Sequence, residues 1–173
     1  SEAVHSSVKK SLQILGMGRS ALRLVPVDEA YRIRVDVLEE MLAEDRRDGH
    51  DVSPALLVGS AGTVDTGAFD DLEALADVAR REDLWLHVDG AFGALAALAP
   101  DLRPLVAGME RADSLAFDAH KWMSAPYDVG VILVRDREAH RATFTVKASY
   151  LSALPRGTGA RPESTDHLSP QLS

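Results

Sequence analysis

The stretch DSLAFDAHKW, residues 113–122, decides the fold. Residues 114–117 form a short apolar run of strand length, and the polar residues at 118–121 that follow it are typical of a turn. Lys121 therefore lies just beyond the carboxyl end of a predicted buried strand. In open α/β sheets ligands bind at this edge, so we expect Lys121 to belong to a functional site.

Two further apolar runs end in polar residues in the same way. LWLHVD at 84–89 ends in Asp89, and ALLVG at 55–59 precedes a small polar turn that contains Thr63. Pyridoxal-phosphate (PLP) sites combine a lysine, as the Schiff base, with an acid on the pyridine nitrogen. A lysine and an aspartate delivered to one sheet edge match that pair. Taken singly, Lys121 could be an ordinary solvated lysine and Asp89 a carboxylate that caps the next turn.

The order of the predicted elements gives the fold class. Asp36 with Glu39, and Asp70 with Glu73, have the spacing of a capping box. Helices are predicted at 4–15, 36–42, 72–79 and 101–111, and strands at 21–27, 55–59, 84–89, 114–117 and 129–134. This alternation favours an α/β fold with a mostly parallel sheet and helices on both faces.

The composition excludes several classes of function. A formal net charge of −8 argues against nucleic acid or an anionic membrane as the main partner. The chain has no cysteine, which excludes disulfides and thiolate chemistry. We find no signal peptide and no apolar run of membrane-spanning length, so we expect a cytoplasmic protein. His87 and Asp89 could bind a metal, but nothing nearby completes a ligand set, and we expect none.

A glycine pattern raises an alternative that its context disfavours. GMGRSA at 16–21 matches GxGxxA, the shape of a dinucleotide-binding loop. That loop requires a strand before it and a helix after it, whereas here a predicted helix precedes it. We therefore interpret the glycines as the end of a helix, and a nucleotide-binding domain is disfavoured.

Four segments together resemble a known family. They are SEAVHSS at 1–7, SAGTVDTGAFD at 60–70, HVDGAFGA at 87–94 and ADSLAFDAHKWM at 112–123. In order and spacing they are similar to the group II PLP-dependent amino-acid decarboxylases, which include the aromatic-amino-acid, histidine and glutamate decarboxylases. The resemblance implies the central part of a fold type I, aspartate-aminotransferase-like large domain over residues 1–150. Residues 151–173, within a stretch rich in Pro, Gly and Ser, would be a loop or linker towards a small C-terminal domain.

The resemblance also implies roles for individual residues, with PLP as the cofactor. Lys121 would form the internal aldimine, and Asp89 would pair with the pyridinium nitrogen. Ala91 would lie against one face of the ring and His5 would stack on the other.

Three further positions match the family's site at its edges. Thr63 would sit close to the ring or to the substrate carboxylate, and His120 would touch the phosphate or the substrate. Asp118 occupies a position where family members often carry an asparagine that helps to hold the phosphate. An acid is less obviously suited to that role.

The resemblance, not the chemistry, selects the reaction. It implies decarboxylation of an L-amino acid, aromatic as the first expectation, by a homodimer of a longer enzyme whose isolated fragment is inactive. Lysine and aspartate alone leave open an aminotransferase or another fold type I enzyme. A non-catalytic domain that retains the fold is a third alternative, although the intact Lys121, Asp89 and Thr63 argue against it.

Overall fold

The computed structural model describes residues 1–47 and 54–145 of the chain. Helices and strands both occur along these residues, and the strands form one sheet. The longer elements are α1 (Ser6–Ile14), α2 (Val35–Arg47), β1 (Leu56–Ser60), α3 (Leu72–Glu82), β2 (Trp85–Asp89), β3 (Ser114–Asp118), β4 (Gly130–Val134) and α4 (Arg137–Phe144).

The sheet has four strands in the order β1-β2-β3-β4. β1, β2 and β3 run parallel, with Ser60 opposite Asp89 and Asp89 opposite Ala116. The carboxyl ends of these three strands therefore lie side by side at one edge. The predicted strands at 55–59, 84–89, 114–117 and 129–134 are confirmed to within one residue at either end.

The hydrophobic core lies between α3 and one face of the sheet. Leu72 and Leu75 of α3 are 1% and 0% exposed, and Leu86 and Val88 of β2 are 1% and 0% exposed. Gly59 brings β1 close to the helix, because a Cβ there would lie 2.8 Å from Leu75 Cδ1. The helix predicted at 72–79 is thus confirmed, and its apolar stripe (Leu72, Leu75, Ala76 and Ala79) is buried. α2 lies beside α3, and ion pairs from Arg81 to Glu39 and from Arg46 to Glu82 join the two helices.

The strand predicted at 21–27 is wrong. Residues Arg19–Ala21 form a short 3-10 helix, and Val27 makes only an isolated antiparallel bridge to Ile33. Pro26 has no N–H to donate to a neighbouring strand, and no sheet strand pairs with this segment among the described residues. The predicted end of α1 is confirmed: the helix stops at Ile14, and Gly16 and Gly18 both adopt positive φ.

Both predicted capping boxes are wrong, because neither Asp36 nor Asp70 is the residue that caps its helix. Asp36 lies inside the first turn of α2 and pairs with Arg34. The residue that caps α3 is Asp71, which accepts a hydrogen bond from Ala74 N at 3.0 Å. Asp70 is instead buried below the start of that helix, and its carboxylate accepts hydrogen bonds from other segments.

Short 3-10 segments connect β2 to β3. The helix predicted at 101–111 is two such segments, Arg103–Val106 and Met109–Arg111, and a third covers Gly93–Leu98. Two compact units, Ser1–Leu133 and Val134–Ser173, divide the chain. The predicted linker at 151–173 lies outside the described residues. Among the described residues, no helix is both long and apolar enough to cross a membrane.

Candidate functional site

Backbone hydrogen bonds join the three strand ends into one continuous edge, which we call the rim (residues 61–69, 89–93 and 118–121). Ala61 N donates to Asp89 O at 2.8 Å and ties the exit of β1 to that of β2. Gly90 N donates to Ala116 O at 2.8 Å and ties β2 to β3. The side chains that leave the three strands are therefore held on a rigid frame.

Close packing in the rim explains why residue 93 is a glycine. Gly93 N donates to Ala61 O at 2.9 Å, so the turn after β2 lies directly on the loop after β1. A Cβ at Gly93 would come within 2.5 Å of Ala61 O and within 2.6 Å of Phe69 Cε1. Only glycine allows this approach, which brings the Thr63 loop next to the Asp89 turn.

Lys121 reaches the rim through a tight turn after β3. Its backbone N–H donates to Asp118 O at 3.1 Å, and this turn carries the side chain back towards the strand end. The ammonium lies 2.7 Å from Asp118 Oδ2 and 4.1 Å from the centroid of the Phe92 ring. Lys121 is half-buried, with 26% of its side chain exposed. Its amine is thus directed to the segment that follows Asp89.

Asp89 ends β2 with its carboxylate half-buried. One carboxylate oxygen, Oδ1, accepts a hydrogen bond from Ala91 N at 3.1 Å, which fixes the side chain. Within residues 1–47 and 54–145 the second oxygen has no hydrogen-bond partner, and Asp89 forms no ion pair with Lys121. Asp89 therefore keeps an acceptor available at the rim, where a protonated ring nitrogen could use it.

Thr63 and Ala91 also lie at the rim. Thr63 is 8% exposed. Its hydroxyl lies 2.7 Å from Thr66 Oγ1 and accepts a hydrogen bond from Ala68 N at 3.1 Å, which closes the loop after β1. Ala91 is half-buried in the turn after Asp89, and its carbonyl accepts a hydrogen bond from Asp118 N at 3.3 Å. Ala91 thus links the turn after Asp89 to the end of β3.

His120 is held away from Lys121 by its own set of contacts. Its Nδ1 lies 3.0 Å from the backbone of Val129 and 3.5 Å from Asp128 Oδ1. The imidazole meets the Tyr127 ring edge to face, with centroids 4.6 Å apart, while Nε2 lies 4.0 Å from Asp118 Oδ2. This ring therefore borders the Asp118 side of the rim.

His5 is the one predicted site residue that the structure does not bring to the rim. It is exposed and caps α1, with Nδ1 2.8 Å from Ser7 Oγ and 3.3 Å from Ser7 N. Among the described residues its side chain makes no other hydrogen bond and no ring contact. A stacking role for His5 remains a prediction.

A polar cluster on the sheet was missed by the sequence analysis. Trp85, His87 and Asp89 share one face of β2, opposite the face that packs on α3. Ser114 of β3 lies opposite His87, is 8% exposed, accepts a hydrogen bond from Trp85 Nε1 at 2.8 Å and lies 2.8 Å from His87 Nδ1. Burial lowers the pKa of His87, and the charge of Asp89 partly opposes that shift. Alternation along β2 predicts that His87 and Asp89 share a face, but it does not predict the Ser114 hydroxyl beneath them.

Asp70 anchors the beginning of the rim. Its two carboxylate oxygens each accept a backbone hydrogen bond at 2.7 Å, one from Ile33 N and one from Ser60 N. Ser60 is the last residue of β1, so the exit of that strand is fixed to the segment before α2. Burial raises the pKa of Asp70, while the two N–H donors oppose the shift. The role of Asp70 is therefore structural support of the Thr63 loop.

Comparison with known proteins places this site in a family context. Residues 1–160 match the family model described as the pyridoxal-dependent decarboxylase conserved domain. The aromatic-L-amino-acid decarboxylase of Bacillus atrophaeus is 39% identical over 151 residues, which is 87% of this chain and 31% of that protein. The histidine decarboxylase of Rattus norvegicus is 36% identical over 151 residues, 87% of this chain and 22% of that protein.

Solved structures agree with the sequence matches. The structure of Oryza sativa TDC with PLP and tryptamine superposes with a TM-score of 0.85 at 26% identity, over 96% of this chain and 34% of that one. This likeness confirms the predicted fold class, part of a fold type I large domain. The chain spans about a third or less of the length of these relatives.

Proposed function

This chain belongs to the pyridoxal-dependent decarboxylase family, and we propose that the protein decarboxylates an L-amino acid with PLP bound at the rim. The observation that carries the proposal is the convergence of Lys121 and Asp89 on one sheet edge. An amine over Phe92 and a carboxylate with an unused oxygen provide the lysine and the acid that PLP sites combine.

In this proposal Lys121 holds the cofactor covalently through its ε-amine. Its half-buried position at the end of a tight turn supports that role, because the amine is fixed near the Asp89 turn and remains accessible. Lysine is suited to attach to carbonyl groups because its neutral amine is a good nucleophile.

Asp89 holds the proton of the cofactor's ring nitrogen. A carboxylate that accepts an N–H⁺ makes a charge-assisted hydrogen bond and so keeps that nitrogen protonated. When bound, the cofactor supplies an electron sink for the electron pair that remains on the substrate when CO2 leaves. The hydrogen bond from Ala91 N orients Asp89 before any ligand arrives.

The other predicted residues bind and shape the ligand. We assign Ala91 to one face of the ring, Thr63 to the ring or the substrate carboxylate, and His120 and Asp118 to the phosphate side. His5 would stack on the opposite ring face, a role that requires it to release Ser7. These assignments rest on the resemblance and on the placement of all of them except His5 at the rim.

The proposed substrate is an aromatic L-amino acid. The aromatic-L-amino-acid decarboxylase that shares 39% identity supports this choice. Because the histidine decarboxylase shares 36% identity, histidine is the second candidate substrate. Glutamate is the third. We further propose that the protein acts as a homodimer in the cytoplasm.

The experiment uses the protein at the length at which it occurs naturally, supplied with PLP. Release of CO2 is measured beside formation of a keto acid, with tryptophan, tyrosine, phenylalanine, histidine and glutamate as substrates. We expect CO2 release, fastest with an aromatic substrate. Keto acid without CO2 would indicate an aminotransferase, and neither product a non-catalytic domain.

Two variants test the assigned residues in the same assay. Lys121→Ala should abolish both the cofactor absorbance band and turnover, whereas Lys10→Ala on the exposed face of α1 should change neither. Asp89→Ala should lower kcat about 100-fold or more, with a smaller effect on substrate binding, because it removes electrostatic stabilisation of the reacting state. Full turnover in Asp89→Ala would refute the assignment of the ring-nitrogen partner.

A further inference from the structure

The Lys121 ammonium has two partners in the described part of the chain, and both favour a cation. Asp118 Oδ2 lies 2.7 Å away, and the Phe92 ring centroid lies 4.1 Å away. A carboxylate binds an ammonium by a charge-assisted hydrogen bond, and the face of an aromatic ring attracts it through the ring quadrupole. The family resemblance implies that position 118 helps to hold the phosphate, and it implies no role for Phe92.

The carboxylate is held in place by the backbone around it. Asp118 is the last residue of β3, and its N–H donates to Ala91 O at 3.3 Å. Its own carbonyl accepts the N–H of Lys121 at 3.1 Å, and Ala119, the next residue, is buried. Asp118 therefore belongs to the rim frame, unlike a carboxylate on a freely moving surface side chain. Only 29% of its side chain is exposed, which limits screening by solvent.

Attachment of an aldehyde to Lys121 requires these contacts to break. The ammonium must first release one proton to solvent. The neutral nitrogen then forms a C=N bond to the carbonyl carbon, and its two remaining protons leave with the carbonyl oxygen as water. The neutral amine has lost its ion pair with Asp118 and its attraction to the Phe92 ring. Both contacts therefore stabilise the unreactive form of the lysine.

We propose that Asp118 is a positioning residue that holds the Lys121 ammonium over Phe92. It restrains the reaction of Lys121 with aldehydes until a ligand displaces the ammonium from Asp118. The inference deepens the proposed function, on which its significance rests, since the aldehyde in question is that of the cofactor. It gives the acid at position 118 a role in the free protein that an asparagine could not fill.

The test measures the reactivity of Lys121 without any cofactor. The chain has four lysines, Lys9, Lys10, Lys121 and Lys147, so each can be followed separately by mass spectrometry. Reductive methylation with formaldehyde and cyanoborohydride at pH 7.5 gives the rate at Lys121 relative to that at exposed Lys9. Asp118→Asn should raise this ratio about 2- to 5-fold, the range expected for a partly exposed ion pair.

Two further variants separate charge from packing. Asp118→Glu keeps the carboxylate and should stay closer to the unaltered protein than Asp118→Asn does. Asp28→Asn, which removes the exposed ion pair between Asp28 and Arg32, should leave the ratio unchanged. An unchanged ratio in Asp118→Asn, or an equal rise in Asp118→Glu, would overturn the proposal, the latter because the effect would then come from packing.

A second arm keeps this result separate from the proposed function. PLP is added to the same variants made in the protein at its natural length, and the appearance of the cofactor absorbance band is timed; the band should appear faster in Asp118→Asn. If the unaltered protein gives no band, the proposed function is wrong, and the methylation rates still decide whether Asp118 restrains Lys121.

Discussion

The two faces of β2 are built from alternate residues of one five-residue strand and serve different purposes. Leu86 and Val88 point towards α3 and are 1% and 0% exposed. Trp85, His87 and Asp89 occupy the other face and are half-buried. The apolar face contributes stability through burial, whereas the polar face ends at the rim and presents groups that can act on a ligand. The same strand thus packs into the core with one face and positions the residues of the site with the other.

The largest expected effect lies on the apolar face. Leu86→Ala should lower the free energy of unfolding by about 2–5 kcal/mol, because it removes buried methyl groups and leaves a cavity. Denaturant unfolding measures the change, with Leu98→Ala as a matched control, since Leu98 is 74% exposed. Equal effects of the two substitutions would contradict the assignment of this face to the core.

A smaller effect is expected where the core meets the rim, at Asp70. An asparagine there has one acceptor oxygen for two backbone donors, and its NH2 group would face an N–H. Asp70→Asn should therefore cost about 1–2 kcal/mol in the free energy of unfolding. The neighbouring Asp71→Asn is the control, since asparagine caps a helix as well as aspartate does and should change stability by less than about 0.5 kcal/mol. A larger loss of stability in Asp71→Asn than in Asp70→Asn would contradict these roles of the two aspartates.

Ser114→Ala tests the polar face of the sheet. It leaves Trp85 Nε1 and His87 Nδ1 without the hydroxyl that both contact, and should cost about 1 kcal/mol in the free energy of unfolding. Ser11→Ala, at an exposed position of α1, should be neutral or slightly stabilising. If Ser114→Ala left the free energy of unfolding unchanged, the cluster would make no net contribution to stability.

The fourth expected effect is a pH dependence from His87, which vanishes at neutral pH. Burial lowers the pKa of His87 below its ordinary value of 6.5, so the unfolded chain binds a proton there that the folded chain does not. The free energy of unfolding should therefore fall as the pH drops below about 6.5, by at most about 1.4 kcal/mol per pH unit, until the folded pKa is reached. His87→Gln should flatten this part of the profile. An unchanged slope in that variant would assign the effect to other groups.

Much of the fold could be predicted because local patterns and tertiary packing agree. β1, β2 and β3 are apolar runs with neighbours to pair with, and the stripe on α3 faces the sheet. Residues 21–27 have the same apolar character without a pairing strand, so propensity alone gave the wrong element. The cap of α3 was misplaced because consecutive aspartates at 70 and 71 look alike in sequence. Tertiary hydrogen bonds from Ile33 and Ser60 engage the first and leave the second as the cap.

The candidate site could be predicted to the level of strand ends, but not of contacts. Parallel pairing delivers Thr63, Asp89 and Lys121 to one edge, and that follows from the position of each after an apolar run. The ion pair between Asp118 and Lys121 depends on the turn after β3, and the ring of Phe92 on the turn after β2. Side-chain directions in turns are not encoded in hydrophobic spacing, so these contacts need the three-dimensional structure.

The central claim, that the rim is a PLP site served by Lys121, is tested most directly by locating the bound cofactor. The protein at its natural length is incubated with PLP, reduced with borohydride, digested and sequenced by mass spectrometry. We predict the cofactor on Lys121 and on no other lysine, and no labelled peptide after Lys121→Arg. Cofactor fixed on another lysine, or on none, would contradict the claim.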